Sequence, residues 1–235
     1  MGTGLYKKTK YCIAGDQGLL VEYGEGIDPG INAKVRAMAM GLKETKPKGI
    51  VEIIPTYRSL LVIYDPILTN PYILEKFMGE LEVSAQKKSL LPSTVVEIQV
   101  CYGKGYGPDI ENVARTNGIT PNEVIQIHSK SEYLIYMVGF TPGFPFLGGL
   151  SEKLFTPRLE TPRLKVPKGS VGIANNQTGV YPIESPGGWQ LIGRTPLNLF
   201  DPGRANPLLY QAGDKIKFIP VTEDEYKELL NKETL

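Results

Sequence analysis

The spacing of hydrophobic residues in the first third of the chain predicts two strand pairs, each followed by a helix. Short alternating or apolar runs bounded by turn residues predict strands at 11–14, 19–23, 50–54 and 60–64. Apolar residues at helical spacing predict helices over 28–45 and 71–86. Their apolar stripes are Ile31, Val35, Met38 and Leu42, and then Ile73, Leu74, Phe77 and Leu81. The order β-β-α-β-β-α favours a small α/β sandwich with both helices on one sheet face.

The pattern changes after the second helix. Polar residues and a proline interrupt the periodicity over 87–93, which predicts a boundary between an N-terminal domain, 1–90, and a C-terminal domain, 91–235. The later part carries many short runs that predict strands at 94–101, 133–138, 170–174, 180–182, 189–194 and 215–220. Many short strands separated by turns indicate a barrel or a sandwich, so the fold class is α+β.

Helix signals also occur in the C-terminal domain. A short helix is predicted to end at Asn117-Gly118, a left-handed cap signal. Thr120 with Glu123 forms a capping box, and the helix that it starts reaches His128. A closing helix is predicted over 223–230.

Composition narrows the function classes. With 41% hydrophobic residues and a net charge of +1, the chain carries no strong field for nucleic acid or an anionic membrane. The absence of a long apolar run and of an apolar signal core predicts a cytoplasmic protein, with Cys12 and Cys101 as reduced core residues. A single His and this Cys spacing predict no metal site. The sequence also lacks a P-loop motif and a G-x-S-x-G elbow.

Glycine and proline concentrate in two stretches of the C-terminal domain. Residues 139–149 read GFTPGFPFLGG, and residues 161–202 hold the only Trp, Trp189, among further Gly–Pro turns. This density excludes long helices and predicts tight turns between short strands. Loops held in this way either present side chains and N–H groups to a ligand or serve as ordinary turns.

His128 and Arg194 are the candidate catalytic residues. His128 is the only side chain whose usual pKa lies near neutrality, so it is either a proton donor or acceptor or a His solvated at a helix end. The guanidinium of Arg194 suits a carboxylate or phosphate, but it could equally pair with Asp201 or Glu184.

Other residues of the Gly–Pro stretches are candidates for substrate binding. Trp189 and the neighbouring phenylalanines either wall a pocket or fill the core. The candidate binding residues are Phe140, Thr141, Gly143, Gln177, Tyr181, Ser185, Gly188 and Trp189.

The two stretches also carry a family resemblance. The segments GFTPGFPFLGGL, VPKGSVGIANNQTGVYPIESPGGWQLIGRTPL and LFDPGR resemble the signature of the 5-oxoprolinase B-subunit family. The likeness extends to GDQGLLVEYGEGIDPGINAKV and YGPDIENVARTNGIT in the N-terminal half and beyond it. The family includes an inhibitor of a sporulation histidine kinase. It is related to allophanate hydrolase subunit 1 and to the carboxyltransferase part of urea carboxylase.

The resemblance implies a fold and an activity. Members have an N-terminal α/β domain and a cyclophilin-like β-barrel, and ATP-dependent 5-oxoprolinase opens 5-oxo-L-proline to L-glutamate. This chain would then be inactive by itself. Its partners would be the C subunit, which resembles allophanate hydrolase subunit 2, and the A subunit, with ATP bound at the level of the complex. His128 would transfer a proton, Arg194 and Gln177 would hold the substrate, and the 139–149 loop would supply backbone donors.

The alternative that the resemblance leaves open is a protein that binds a sensor histidine kinase. Urea or allophanate metabolism is a third interpretation. Arg158, Arg163 and Lys168 are either solvated or attract an anion such as 5-oxoproline. The chain departs from the family pattern at Lys104 and at Asn175-Asn176, where glycines are expected. Asparagine tolerates a left-handed φ, so the turn at Asn175 can persist.

Overall fold

The chain divides into two compact units. A computed structural model describes residues 4–85 and 93–233. The units are Met1–Pro92 and Ser93–Leu235. The predicted boundary between residues 90 and 91 lies outside the described residues. No helix of the described part is long and apolar enough to cross a membrane.

The first unit is an antiparallel sheet covered on one face by two helices. Its elements are β1 (Leu5–Ala14), β2 (Gly18–Gly24), α1 (Pro29–Thr45), β3 (Ile50–Pro55), β4 (Ser59–Tyr64) and α2 (Pro71–Ala85). The strand order is β1-β2-β4-β3. Alternate residues of β2 and β4 are buried against apolar residues of both helices, such as Val35 and Leu74. The predicted order of elements is therefore confirmed.

The start of α1 follows from local chemistry. The Asp28 side chain accepts hydrogen bonds from the N–H groups of Gly30 (2.8 Å) and Ile31 (3.0 Å), and Pro29 occupies the first turn. The helix ends at Thr45, and Lys46 caps it in a left-handed conformation, with φ of 44°.

Cys12 differs from the prediction that it is a core residue. It is exposed, whereas Cys101 is buried as expected. Tyr11 packs against the core of the first unit, and successive residues of a strand face opposite sides of the sheet. Cys12 consequently lies on the face that carries no helix.

The second unit contains a closed barrel with the strand order β10-β7-β6-β13-β5-β12-β9. Its elements are β5 (Val95–Tyr102), α3 (Ile110–Asn117), α4 (Pro121–Lys130), β6 (Glu132–Val138), β7 (Pro145–Gly148), β8 (Arg163–Val166), β9 (Ser170–Ala174), β10 (Gln177–Val180), β11 (Ser185–Gly187), β12 (Gln190–Arg194), β13 (Lys215–Pro220) and α5 (Glu223–Glu233). Strands β13 and β5 pair in parallel, with Lys215 opposite Val95, and the other barrel pairs are antiparallel. The mixed α+β class with a barrel is confirmed.

The helix caps predicted in the second unit are also observed. Gly118 ends α3 in a left-handed conformation, with φ of 66°. At the start of α4, the Glu123 N–H donates to Thr120 Oγ1 (3.2 Å) and the Thr120 N–H donates to the Glu123 carboxylate (2.8 Å). This reciprocal pair is the predicted capping box.

Three strands of the second unit were not predicted, and one was misplaced. Strand β7 lies in the stretch assigned to a Gly–Pro loop, and β8 pairs with β11 in a separate two-stranded ribbon. The strand predicted at 180–182 is β10, which ends at Val180. Pro145 is tolerated because it is the first residue of its strand. The turn between β9 and β10 is held by Asn175, with a left-handed φ of 53°.

Candidate functional site

An aromatic cluster covers part of the barrel on the side away from its core. Phe144 lies at the centre, with ring centroids of its neighbours 5.0–5.8 Å away, and most contacts are edge-to-face. The aromatic cluster consists of Phe140, Phe144, Phe146, Tyr181 and Trp189. The structure therefore brings together three of the candidate binding residues that were predicted from sequence, Phe140, Tyr181 and Trp189.

Two glycines in neighbouring strands make room for these rings. Gly172 of β9 pairs with Gly179 of β10. A Cβ at Gly172 would lie 3.1 Å from the Trp189 Cβ, and one at Gly179 would lie 3.0 Å from the Phe144 ring. Both distances are tighter than ordinary contacts, so side chains at these positions would displace the rings.

The loop between β6 and β7 holds Phe140 in an unusual conformation. Phe140 has φ of 65°, and 68% of its surface is exposed. A left-handed backbone at a non-glycine residue costs about 1–2 kcal/mol, and such strain concentrates at functional sites. The N–H groups of Gly139, Thr141 and Phe144 donate within the loop, so these expected backbone donors are already used.

Four buried polar side-chain atoms of the second unit have no hydrogen-bond partner among the described residues. They are Thr141 Oγ1, Ser170 Oγ, Ser185 Oγ and Arg194 Nε. Sequence reasoning singled out three of them and missed Ser170, which lies in a predicted strand. Buried polar atoms are nearly always bonded, so a group of unpaired atoms is a signal for a ligand or ordered water.

Arg194 pairs with neither of the carboxylates suggested from sequence. Glu184 contacts Lys165 (3.4 Å), and Asp201 contacts Arg204 (3.4 Å). Within the described ranges 4–85 and 93–233, no ion pair includes Arg194. Its positive charge is therefore uncompensated by the part of the chain that the structure describes.

A row of residues connects Arg194 to the aromatic cluster across neighbouring strands. Arg194 pairs with Cys101 on one side and Ser170 on the other. Val100 and Val171 face the barrel core, so Cys101 and Ser170 face outward, and Arg194 shares their side of the sheet. Tyr181 continues the outer row (Cys101, Arg194, Ser170 and Tyr181), because its N–H donates to the Ser170 carbonyl at 2.8 Å.

His128 lies on the opposite side of the barrel wall from this row. Its side chain is fully buried in the core and stacks on Phe218, with ring centroids 4.7 Å apart. Nδ1 lies 2.8 Å from the Tyr102 hydroxyl, and Nε2 lies 2.8 Å from Thr178 Oγ1. His128 and Arg194 are thus not brought together, and the imidazole does not reach the surface as a proton-transfer role requires.

The hydrogen bonds around His128 define its tautomer. Thr178 Oγ1 donates its one hydrogen to the Gly172 carbonyl (3.0 Å), so it accepts from Nε2–H of His128. Nδ1 consequently accepts from the Tyr102 hydroxyl. Burial lowers the pKa of His128 to about 3, so the imidazole is neutral at physiological pH.

The remaining predicted binding residues occupy different positions. Gln177 begins β10 opposite Ala174, a member of the buried group around Phe144. Gly188 accepts a hydrogen bond from the Leu159 N–H (2.8 Å), beside the aromatic cluster residue Trp189. Gly143 lies against Leu208 and accepts a hydrogen bond from the Tyr210 hydroxyl (2.7 Å).

Two of the three residues of the predicted positive cluster, Arg163 and Lys168, bind other partners. Arg163 forms an ion pair with Asp109 (2.7 Å), and Lys168 donates to the Asn198 side chain (2.7 Å). Arg158 is exposed. Among the described residues, no group of three or more His, Cys, Asp or Glu side chains could hold a metal.

Comparison with known proteins identifies relatives over most of the chain. Residues 9–210 match the family described as carboxyltransferase domain, subdomain C and D. The chain is 44% identical over 222 residues to the 5-oxoprolinase B subunit of Bacillus subtilis, covering 90% of this chain and 92% of that protein. It is 48% identical over 173 residues to the 5-oxoprolinase B subunit of Haemophilus influenzae, covering 72% and 79%.

Solved structures agree with this relationship. The crystal structure of TTHA0988 superposes with a TM-score of 0.78 at 36% identity, covering 87% of this chain. This chain spans only 39% of the length of that protein. From these matches in sequence and fold, the chain belongs to the 5-oxoprolinase B-subunit family.

Proposed function

We propose that this chain is the B subunit of an ATP-dependent 5-oxoprolinase, which opens 5-oxo-L-proline to L-glutamate. Family membership supports a role in a hydrolase complex. One observation supports this location for the substrate. Arg194, which has no ion-pair partner among the described residues, lies in the same outer row as Tyr181 of the aromatic cluster. This arrangement suits a small ring that carries one carboxylate.

The two parts of the site match the two parts of the substrate. The lactam ring is compact and mostly apolar, so the aromatic cluster offers it a large contact surface. The unpaired hydroxyl groups of Thr141 and Ser185 are donors for its carbonyl oxygen. A guanidinium favours a carboxylate, so we assign the carboxylate of 5-oxo-L-proline to Arg194.

His128 is assigned a positioning role in place of proton transfer. Its bond to Thr178, and the bond from Thr178 to Gly172, link the core to the strand residue beneath Trp189. A neutral imidazole with both nitrogens bonded holds these strands in one geometry. The proton transfers of the reaction are then made by groups of a companion chain or by water.

ATP does not fit the residues of this chain. The sequence lacks a P-loop motif, and the one positive charge of Arg194 does not match the charge of a triphosphate. We assign the nucleotide to a companion chain, with the A and C subunits of the enzyme as the partners that complete it.

The test is reconstitution with purified companion subunits. We expect glutamate formation from 5-oxo-L-proline, coupled to ATP hydrolysis, only when this chain is present. Arg194→Gln should lower kcat/KM by about 100-fold, because the lost contact between the guanidinium and the substrate carboxylate contributes roughly 2–3 kcal/mol. Equal glutamate production without this chain would refute the proposal. Binding of a sensor histidine kinase is not favoured, because the curated relatives are named as enzyme subunits.

A further inference from the structure

Ser170 and Arg194 are the two unpaired polar groups that adjoin each other directly. They are register partners on neighbouring antiparallel strands, and both side chains leave the same sheet face. Directly opposite residues of this kind have Cβ atoms about 5 Å apart. Ser170 is fully buried, and neither Ser170 Oγ nor Arg194 Nε has a partner among the described residues.

The groups that surround Arg194 leave its charge without a counterion. Cys101 is its other register partner, and Tyr226 of α5 is close enough for Arg194 to influence the pKa of its hydroxyl. Burial raises the pKa of the Cys101 thiol and of the Tyr226 hydroxyl, so both are neutral at physiological pH. Glu223, whose charge also acts on Cys101, is paired with Lys104 (2.6 Å). A partly buried cation among neutral groups favours an external anion.

The backbone beside Ser170 requires a glycine and lies close to the stem of Arg194. Gly169 has φ of 80°, and a Cβ at this position would overlap the Thr195 carbonyl oxygen. The Arg194 Cγ would be 3.4 Å from that Cβ. The left-handed φ and the closeness of the Thr195 carbonyl therefore require glycine at this position, and the stem of Arg194 lies against the same backbone.

We propose that Ser170 and Arg194 together form the subsite that recognises the carboxylate of the substrate. One fixed positive charge matches one carboxylate, whereas a phosphate dianion would remain uncompensated. Arg194 is partly exposed, so its guanidinium can bind a carboxylate that arrives from solvent. Ser170 is buried, and its hydroxyl contributes a second donor from the protein side. This inference rests on the proposed function and adds Ser170 as a residue that determines specificity.

The subsite predicts how two variants of the reconstituted complex respond. Ser170→Ala removes one charge-assisted hydrogen bond, so KM for 5-oxo-L-proline should rise about ten-fold while kcat stays within about two-fold. Arg194→Lys keeps the charge but loses the Nε donor, and KM should rise by at least as much. Lys165→Gln is the control, because Lys165 is 79% exposed and pairs only with Glu184 in the described structure.

A neutral analogue separates carboxylate recognition from a general structural effect. 2-Pyrrolidinone has the same lactam ring without the carboxylate, so its inhibition constant should be unchanged by Ser170→Ala. Ser170→Cys is nearly isosteric and should behave like the alanine variant. Trp189 fluorescence verifies that each variant is folded.

The outcomes that overturn the subsite differ from those that overturn the function. An unchanged KM in both Ser170 variants, or a loss confined to kcat, removes Ser170 from carboxylate recognition while wild-type turnover still supports the function. Competition by inorganic phosphate but not by acetate would assign the site to a phosphoryl group instead. If the wild-type complex does not hydrolyse 5-oxo-L-proline, the proposed function itself fails.

Discussion

His128 shows how burial limits what a titratable side chain can do. The family resemblance favoured a site role over a solvated place at a helix end, yet barrel closure encloses the side chain between Tyr102, Thr178 and Phe218. Those partners come from three distant strands, so sequence spacing contains no sign of the enclosure. Because burial disfavours the charged imidazole, protonation of His128 instead opposes folding.

The pH dependence of stability follows from the lowered pKa of His128. Its folded pKa is about 3, below the usual 6.5, so between these values the unfolded chain binds the proton more tightly. Stability is therefore full above pH 6.5 and falls as the pH decreases. Urea unfolding should show a loss of about 2 kcal/mol between pH 6.5 and 5.

The control for this prediction is His128→Gln, which keeps hydrogen-bonding groups but cannot titrate. The sole His is removed, and the acidic groups with lowered pKa, such as Glu132, titrate below their ordinary value of 4.5. The variant should have a nearly flat stability profile over the same interval. A wild-type slope that persists in the variant would contradict the assignment.

At the residue scale, only some residues of the candidate site could be predicted from the sequence. Isolated polar residues among Gly–Pro turns pointed to Thr141, Ser185 and Arg194, and each has an unpaired buried atom in the structure. Ser170 gave no such signal, because it reads as an ordinary strand residue before Val171. Its proximity to Arg194 depends on the pairing of β9 with β12, which is non-local.

The ribbon of β8 and β11 is tied to the barrel by one ion pair. Asp109 accepts from Arg163 of β8 (2.7 Å) and, through its other oxygen, from the Leu191 N–H of β12 (2.6 Å). The Asp109 side chain is only 13% exposed, so solvent screens this pair weakly. The same carboxylate therefore joins a strand of the ribbon to a strand of the barrel.

Removal of this carboxylate should destabilise the second unit. Asp109→Ala removes the carboxylate partner of Arg163, which keeps only its bond to the Trp189 carbonyl (3.4 Å), and the side-chain acceptor of the Leu191 N–H. The loss should cost about 2–3 kcal/mol in chemical denaturation. Lys165→Ala breaks a solvent-exposed pair on the same ribbon and should cost less than about 0.5 kcal/mol. Similar losses for the two variants would show that Asp109 has no special role.

At the element scale, prediction succeeded where structure is local. The helices of both units follow from apolar spacing and, in the second unit, from caps such as Thr120. Strands β7 and β11 were missed because their glycines and prolines resemble turn residues, and β8 was missed because it is short and flanked by Pro162 and Pro167. These strands exist through pairing with distant segments, such as Val166 with Ser185, which local composition does not reveal.

At the scale of the whole second unit, the barrel depends on its last strand. β13 pairs with both β5 and β6, and it buries Ile216 and Phe218 completely. Without it, two barrel strands would have open edges, and the core would lose two large side chains. The closing strand is thus required for the barrel as a whole.

Truncation tests this dependence. A chain that ends after Asp214 should lose the cooperative unfolding transition of Trp189 fluorescence and bind a hydrophobic dye. A chain that ends after Leu230 keeps β13 and most of α5, so it should retain the transition. A cooperative transition in the shorter chain would mean that the remaining strands close without β13.

The parallel seam between β5 and β13 also has a consequence during translation. Val95 leaves the ribosome long before Lys215, its register partner, has been made. Strand β12, the other neighbour of β5, is also synthesised late. Until those strands are made, the nascent segment pairs only with water and exposes its apolar residues, so we expect this half of the polypeptide to be prone to aggregation during synthesis.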